Sequence, residues 1–267
     1  MQARTGSPGA LLALLSCPVL VVLCAAFVDR AAASLAHADF AGHTAAFVAL
    51  THIVDPLLPL AGLGAAAAGL AAVLGWRPER VGRTLIACCL AVLIAYALKE
   101  ELKYAFGRLW PETWVDGNPS WIHDGAYGFF PFHGRTGWSS FPSGHMTLSA
   151  APATVLWTRL PRWRPILAVP VALVAVGLFG ADYHFVGDMV AGLYLGAACG
   201  AGVLALLEGP HKVHAKRSAS TRPLPHDEGA EANEAVVPVG ALGPPVAPPS
   251  LSGTRGAARP VPPSAGP

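Results

Sequence analysis

The sequence predicts an all-α fold: a six-span transmembrane helical bundle followed by a disordered C-terminal tail. Three observations carry that expectation. The 267-residue chain is 53% hydrophobic and only 13% charged, where a soluble globular protein carries about 25% charged residues. Its apolar residues gather into six stretches. After residue 208 that character stops, no aromatic residue follows Tyr194, and prolines crowd the segment around Pro244, Pro248 and Pro262.

The six stretches are residues 11–28, 57–76, 85–98, 146–160, 166–181 and 189–207. A helix needs about 20 residues, with a range near 17–25, to cross the hydrocarbon core, so the shorter ones reach that length only with their semi-polar flanks. The first could be read as a signal peptide. Its apolar core exceeds the roughly 7–15 residues of such a signal, and only Arg4 precedes it, so a retained span is expected. Residues 1–208 thus form one membrane domain. Residues 209–267 bury too little apolar surface to offset their ordering entropy and are read as a cytoplasmic tail.

Basic residues set the orientation. Arg77, Arg80 and Arg83 lie between the second and third stretches, Arg159, Arg162 and Arg164 between the fourth and fifth, and Lys212, Lys216 and Arg217 after the sixth. The positive-inside rule places these loops and both termini in the cytoplasm. The connection over residues 99–143 and the turn around His184 then face the other side. In a bacterium that is the periplasmic face of the inner membrane.

Composition also excludes. A net charge of +2 gives no reason to expect a nucleic-acid partner. The five cysteines all sit in apolar runs without a CxxC spacing, so neither a zinc site nor a disulfide framework is indicated. His123, His133, His145 and His184 follow no metal-ligand spacing, and no metal or other cofactor is expected. The outer connection is dense in aromatics, among them Trp110, Trp114, Trp121, Tyr127 and Trp138. It reads as an interfacial cap and as a rim for an amphiphilic substrate.

Three polar clusters fall on that outer side: KYAFGRLWP (103–111), PSGH (142–145) and HFVGD (184–188). His184 and Asp188 are four apart and would share a helix face. The carboxylate can hold one imidazole nitrogen and leave the other as nucleophile or ligand, or it can simply cap the helix. Pro142 and Ser143 suit a helix N-terminus, whose free N–H groups attract anions. Gly144 permits close approach, and His145 adds a titratable proton. Lys103 and Arg108 can snorkel to lipid headgroups or neutralise a phosphate.

Together these clusters resemble the type 2 phosphatidic acid phosphatase superfamily, histidine phosphatases whose membrane branch has six spans. Its signature runs lysine-x6-arginine-proline, proline-serine-glycine-histidine, then serine-arginine-x5-histidine-x3-aspartate. The resemblance implies that His184 takes the phosphoryl group, oriented by Asp188, and that His145 protonates the leaving oxygen and then activates water. It implies that Lys103, Ser143 and the Gly144 N–H hold phosphoryl oxygens. Two arginines depart from the pattern: Trp110 stands where the first is expected and Leu178 where the second is. Arg108 and Arg135 are expected to supply the lost charge.

The expected activity is therefore metal-independent hydrolysis of a lipid phosphate or lipid pyrophosphate, such as an isoprenyl pyrophosphate, through a phosphohistidine. The alternative is a weakened or inactive membrane protein that binds such lipids.

Overall fold

The computed structural model describes residues 8–208 apart from 115, 116 and 135. The expected tail and Arg135 lie outside the described residues. The helices are α1 (Pro8–Leu23), α2 (Asp29–Phe40), α3 (Thr44–Thr51), α4 (Leu57–Val73), α5 (Arg80–Phe106), α6 (Trp121–Asp124), α7 (Gly144–Arg159), α8 (Arg164–Gly180) and α9 (Val186–Glu208). Among the described residues there is no strand, only isolated bridges that pair Arg108 with Phe129 and Ser139, and Trp110 with Ser120.

Among the described residues, four helical runs are long and apolar enough to cross a membrane: Leu15–Val73, Arg80–Phe106, Pro161–Gly180 and Val186–Leu207. The chain is a helical integral membrane protein. Two differences from the sequence expectation have local causes. The connection over residues 29–56 is largely helical, because alanine-rich α2 and α3 continue through short π and 3-10 turns, so the first two apolar stretches join in one run. The 146–160 stretch begins earlier, at Gly144, and its helix is 16 residues long.

Helices α5, α7 and α9 pack together around a core of small residues, including Ala87, Ala91, Ala95, Ala151 and Cys199. Gly192, Gly196 and Gly200 recur every fourth residue along α9. A Cβ on any of them would collide with the α7 backbone, at the carbonyls of Ser143, Thr147 and Ala151 in turn. Removing side chains at helical spacing lets two membrane helices approach to backbone contact. That close approach sets the start of α7 beside the start of α9.

The end of α5 is fixed by Gly107. It adopts φ +55, donates its N–H to the Lys103 carbonyl at 2.9 Å, and has no room for a Cβ against the Phe130 carbonyl. The chain turns there into the outer connection, which is tied down by its aromatics. Trp121 Nε1 donates to Ser34 Oγ at 3.0 Å, Trp114 Nε1 to the Asp182 carbonyl at 3.1 Å, and Tyr127 Oη to the Ala25 carbonyl at 2.9 Å.

Candidate active site

The three polar clusters meet where α5 ends and where α7 and α9 begin. The Ser143 N–H donates to the Asp188 carbonyl at 3.0 Å, and the Ser140 N–H to the Arg108 carbonyl at 3.1 Å. Two main-chain bonds thus join segments far apart in sequence.

His184 sits in the turn just before α9, not within it, and is buried with Asp188. Its Nδ1 lies 3.3 Å from Ser140 Oγ and 3.5 Å from Asp188 Oδ2. Ser140 Oγ donates to the same carboxylate oxygen at 2.6 Å, and the Phe185 N–H does so at 3.1 Å. The hydroxyl proton of Ser140 is therefore engaged on Asp188, and its lone pair faces Nδ1. Burial pushes the His184 pKa below the ordinary histidine value, outweighing the opposite pull of Asp188, and Lys103 lowers it further. The neutral imidazole is favoured.

His145, the second residue of α7, is partly exposed. Its ring lies 6.4 Å from that of His184 and stacks at 6.4 Å with Tyr183. Ser143 is the N-cap of α7, and its Oγ accepts the Met146 N–H at 3.4 Å. Gly144 follows as the first helical residue, where backbone N–H groups have no partner within the helix.

The guanidinium of Arg108 is engaged by protein carboxylates. It is fully buried. Its Nη1 meets Asp188 Oδ1 at 2.5 Å, and its Nη2 meets Asp29 Oδ2 at 2.6 Å and Tyr127 Oη at 2.7 Å. Burial disfavours its charge, but Asp188 and Asp29 more than offset this and raise its pKa. Burial is also the main cause that pushes the Tyr127 pKa up to about 12. Asp29 is itself fully buried and accepts the Gly187 N–H through Oδ1 at 2.8 Å. A guanidinium between two carboxylates thus fixes Asp188 from behind.

Two lysines of α5, Lys99 and Lys103, lie on the side of the site where α5 ends. Lys103 Nζ lies 5.9 Å from the Trp110 ring, and that ring packs on His184 with centroids 5.0 Å apart. Lys99, one helical turn earlier, is buried and runs alongside Gly144, where a Cβ would come within 3.3 Å of Lys99 Cδ. It pairs with Glu100. Leu178, in the other vacated arginine position, is fully buried against Val54, Met146 and Val174, so apolar packing replaces charge there.

The sequence reading missed Asp29, Tyr127, Ser140 and Lys99. A carboxylate at the end of an apolar run is a functional signal in itself, and Lys99 shares a helix face with Lys103. Those two were legible. Tyr127 and Ser140 are brought in by the path of the outer connection. Four histidines do not gather on a metal: among the described residues, the group with ligand atoms within 4.8 Å of one another is His37, Glu112 and Asp182.

Residues 84–210 match the sequence model of the PAP2 superfamily. Over 107 residues the chain is 31% identical to a lipid A 1-phosphatase of Rhizobium johnstonii, covering 40% of this chain and 41% of that protein. Over 106 residues it is 30% identical to a lipid A 1-phosphatase of Rhizobium etli, covering 39% and 42%. The chain thus spans about two fifths of the length of the curated relatives it matches. The crystal structure of a transmembrane PAP2 type phosphatidylglycerolphosphate phosphatase from Bacillus subtilis aligns over 73% of this chain and 95% of that one, at 22% identity and a TM-score of 0.43. Residues 84–210, which hold both histidines, Asp188 and both lysines, are the part of this chain that is similar to the PAP2 superfamily.

Proposed function

We propose that the protein is a membrane phosphatase that hydrolyses a lipid phosphate or lipid pyrophosphate through a phosphohistidine on His184. The observation that carries this reading is the arrangement of the two histidines. His184 is held on its Nδ1 side by Ser140 and Asp188, and its ring stands 6.4 Å from His145. With its proton on Nδ1, donated to Ser140 Oγ, the Nε2 lone pair is free to attack phosphorus.

In the first step the Nε2–P bond forms and the bond from phosphorus to the lipid oxygen breaks, with His145 giving that oxygen its proton. In the second, His145 takes a proton from water, whose oxygen bonds phosphorus as Nε2–P breaks. Phosphoryl transfer rests on positioning and charge stabilisation, which this chain provides with Lys103, Lys99, the Gly144 N–H and the Ser143 hydroxyl. No step is assigned to a metal. Arg108 acts on Asp188 and not on substrate. Arg135 is retained as a cation of the outer connection.

Six crossings suit this reading, by α1 with the π turn Cys24–Val28, α4, α5, α7, α8 and α9. Arg80 and Arg159 lie at the opposite ends of α5 and α7 from the histidines, so the positive-inside rule opens the site to the non-cytoplasmic face. In a bacterial inner membrane that is the periplasm. The similarity to lipid A 1-phosphatases favours a phosphorylated membrane lipid as substrate.

A second reading is a lipid-phosphate binder with weak or no turnover. Trp110 and Leu178 in the vacated arginine positions favour it. One experiment separates the two: purified protein is assayed for phosphate release from lipid A, phosphatidic acid, phosphatidylglycerolphosphate and undecaprenyl pyrophosphate. Release from one of them that is lost in His184→Ala is expected. Binding of these lipids without release from any would establish the second reading.

A further inference from the structure

On the outer face, apart from the histidine pair, His37 of α2 stands between two carboxylates. Its Nδ1 lies 2.9 Å from Asp182 Oδ2 and 3.5 Å from Glu112 Oε2. The other Glu112 oxygen, Oε1, lies 2.6 Å from His123 Nε2. Asp182 is 6% exposed, and its second oxygen, Oδ1, is buried with no hydrogen-bond donor. A buried carboxylate oxygen without a donor calls for an explanation, and an absent cation is one.

We propose that His37, Glu112 and Asp182, with His123 as fourth ligand, form a binding site for a divalent transition metal of zinc type. The donor set is two imidazole nitrogens and two carboxylates, which suits zinc better than the all-oxygen shells of magnesium or calcium. Zinc bonds of about 2.0–2.2 Å in a tetrahedron place ligand atoms about 3.3–3.6 Å apart. The His37, Glu112 and Asp182 donors already lie within 4.8 Å of one another, and His123 Nε2 stands against Glu112. His37 binds through Nδ1 as the neutral ring, its proton resting on Nε2. His123 is 61% exposed on its side chain, so the metal enters from the aqueous side.

The site joins three segments distant in sequence: α2, the outer connection and the turn before α9. Asp182 adopts φ +53 and lies two residues before His184. A metal here acts as a clip that holds that turn and the outer connection against α2, and it takes no part in bond breaking.

The test uses the full-length purified protein, stripped with a chelator and dialysed, then titrated with zinc chloride by calorimetry. Metal content is measured after gel filtration. Wild type should bind about one zinc in this tetrahedral class of site, and its thermal midpoint should rise with zinc concentration. Cobalt should give the visible absorption of a tetrahedral ion. His37→Gln and Glu112→Gln should each weaken binding by more than about tenfold and abolish the cobalt band. His52→Ala, a histidine paired with Asp55 alone, should change neither. If either Gln variant does not fold, His123→Ala at its exposed position supplies the same comparison. Zinc binding that is unchanged in these variants, or no binding at micromolar zinc, overturns the proposal. None of these readouts requires phosphatase activity.

Discussion

Arg108 and Asp188 form a fully buried ion pair, 2.5 Å between Nη1 and Oδ1, and Asp29 flanks the same guanidinium at 2.6 Å. The pair stands directly behind His184, since the other oxygen of Asp188 faces Ser140 and the imidazole. Under the proposed mechanism, Arg108 then orients His184 through Asp188.

Removing one partner of such a group leaves a buried charge uncompensated, at a cost of about 3–5 kcal/mol. Asp29→Asn should lower the unfolding midpoint in detergent and reduce kcat more than it changes KM, because Asp29 touches no substrate. Arg108→Lys should do the same, since an ammonium cannot bridge both carboxylates as the planar fork does. Asp29→Asn with wild-type stability and kcat would show that the triad is dispensable.

The proposed mechanism requires a neutral His184 for attack. Its pKa is lowered by burial, so the ring stays unprotonated through neutral pH and loses its lone pair only as pH falls through that depressed value. The kcat/KM profile should therefore lose activity on its acid side, at a pH below the ordinary histidine range. Ser140→Ala removes the hydroxyl that meets Nδ1 and should shift that limb and lower kcat by about 10–100-fold, part of the range that general acid–base positioning supplies. An acid limb at the same pH in Ser140→Ala would separate Ser140 from the nucleophile.

The helical class and the histidine motifs were legible because each depends on local pattern: apolar run length, and PSGH before an apolar run. What escaped depends on long-range closure. Asp29 meets Arg108 across 79 residues of sequence, and Ser140 meets Asp188 across 48. Counting from Lys103 identified Trp110 as a lost cation, but not that its ring would lie on His184. Nor could spacing tell that Arg108, the nearest arginine to the vacancy, would be enclosed by two carboxylates. His37, Glu112 and Asp182 share no sequence spacing, and only the fold brings them together.

In the proposed mechanism, with Arg108 engaged, Lys103 and Lys99 offset phosphate charge together with any part played by Arg135. Lys103→Ala should reduce kcat/KM by about 100-fold or more, the scale of losing one transition-state donor. Lys99→Ala should cost less, because Glu100 shares its charge, and Lys99→Arg should be poorly tolerated in the tight space beside Gly144. Lys99→Met with full activity would confine that residue to packing.

Orientation is testable without substrate. On a background lacking the five native cysteines, cysteine at exposed His133 in the outer connection should react with an impermeant thiol reagent in intact cells. Cysteine at exposed Glu79, before α5, should react only after lysis. Ser120, in the same connection, is buried and unsuited to this purpose. The reverse labelling pattern would place the histidines on the cytoplasmic side.

The sharpest chemical question is what Trp110 does in an arginine's place. Its indole donates to the Thr136 carbonyl at 2.8 Å, its ring lies against His184, and Lys103 sits over it at 5.9 Å. It thus braces the nucleophile and excludes water from one side of it, but gives a bound phosphoryl group no charge. A guanidinium at residue 110 would add a charge-assisted bond of about 1.5–3 kcal/mol, while losing the bracing ring. Vanadate separates these effects, because it occupies the phosphoryl position without needing a leaving group. Trp110→Arg should lower the vanadate concentration for half-inhibition by about tenfold, since about 1.4 kcal/mol is one decade, while kcat falls as the imidazole loses its support. Trp110→Phe should keep the support and leave vanadate affinity near wild type. Weaker vanadate inhibition in Trp110→Arg would mean that residue 110 cannot reach the phosphoryl group, and the departure from the family pattern would then be one of packing and not of charge.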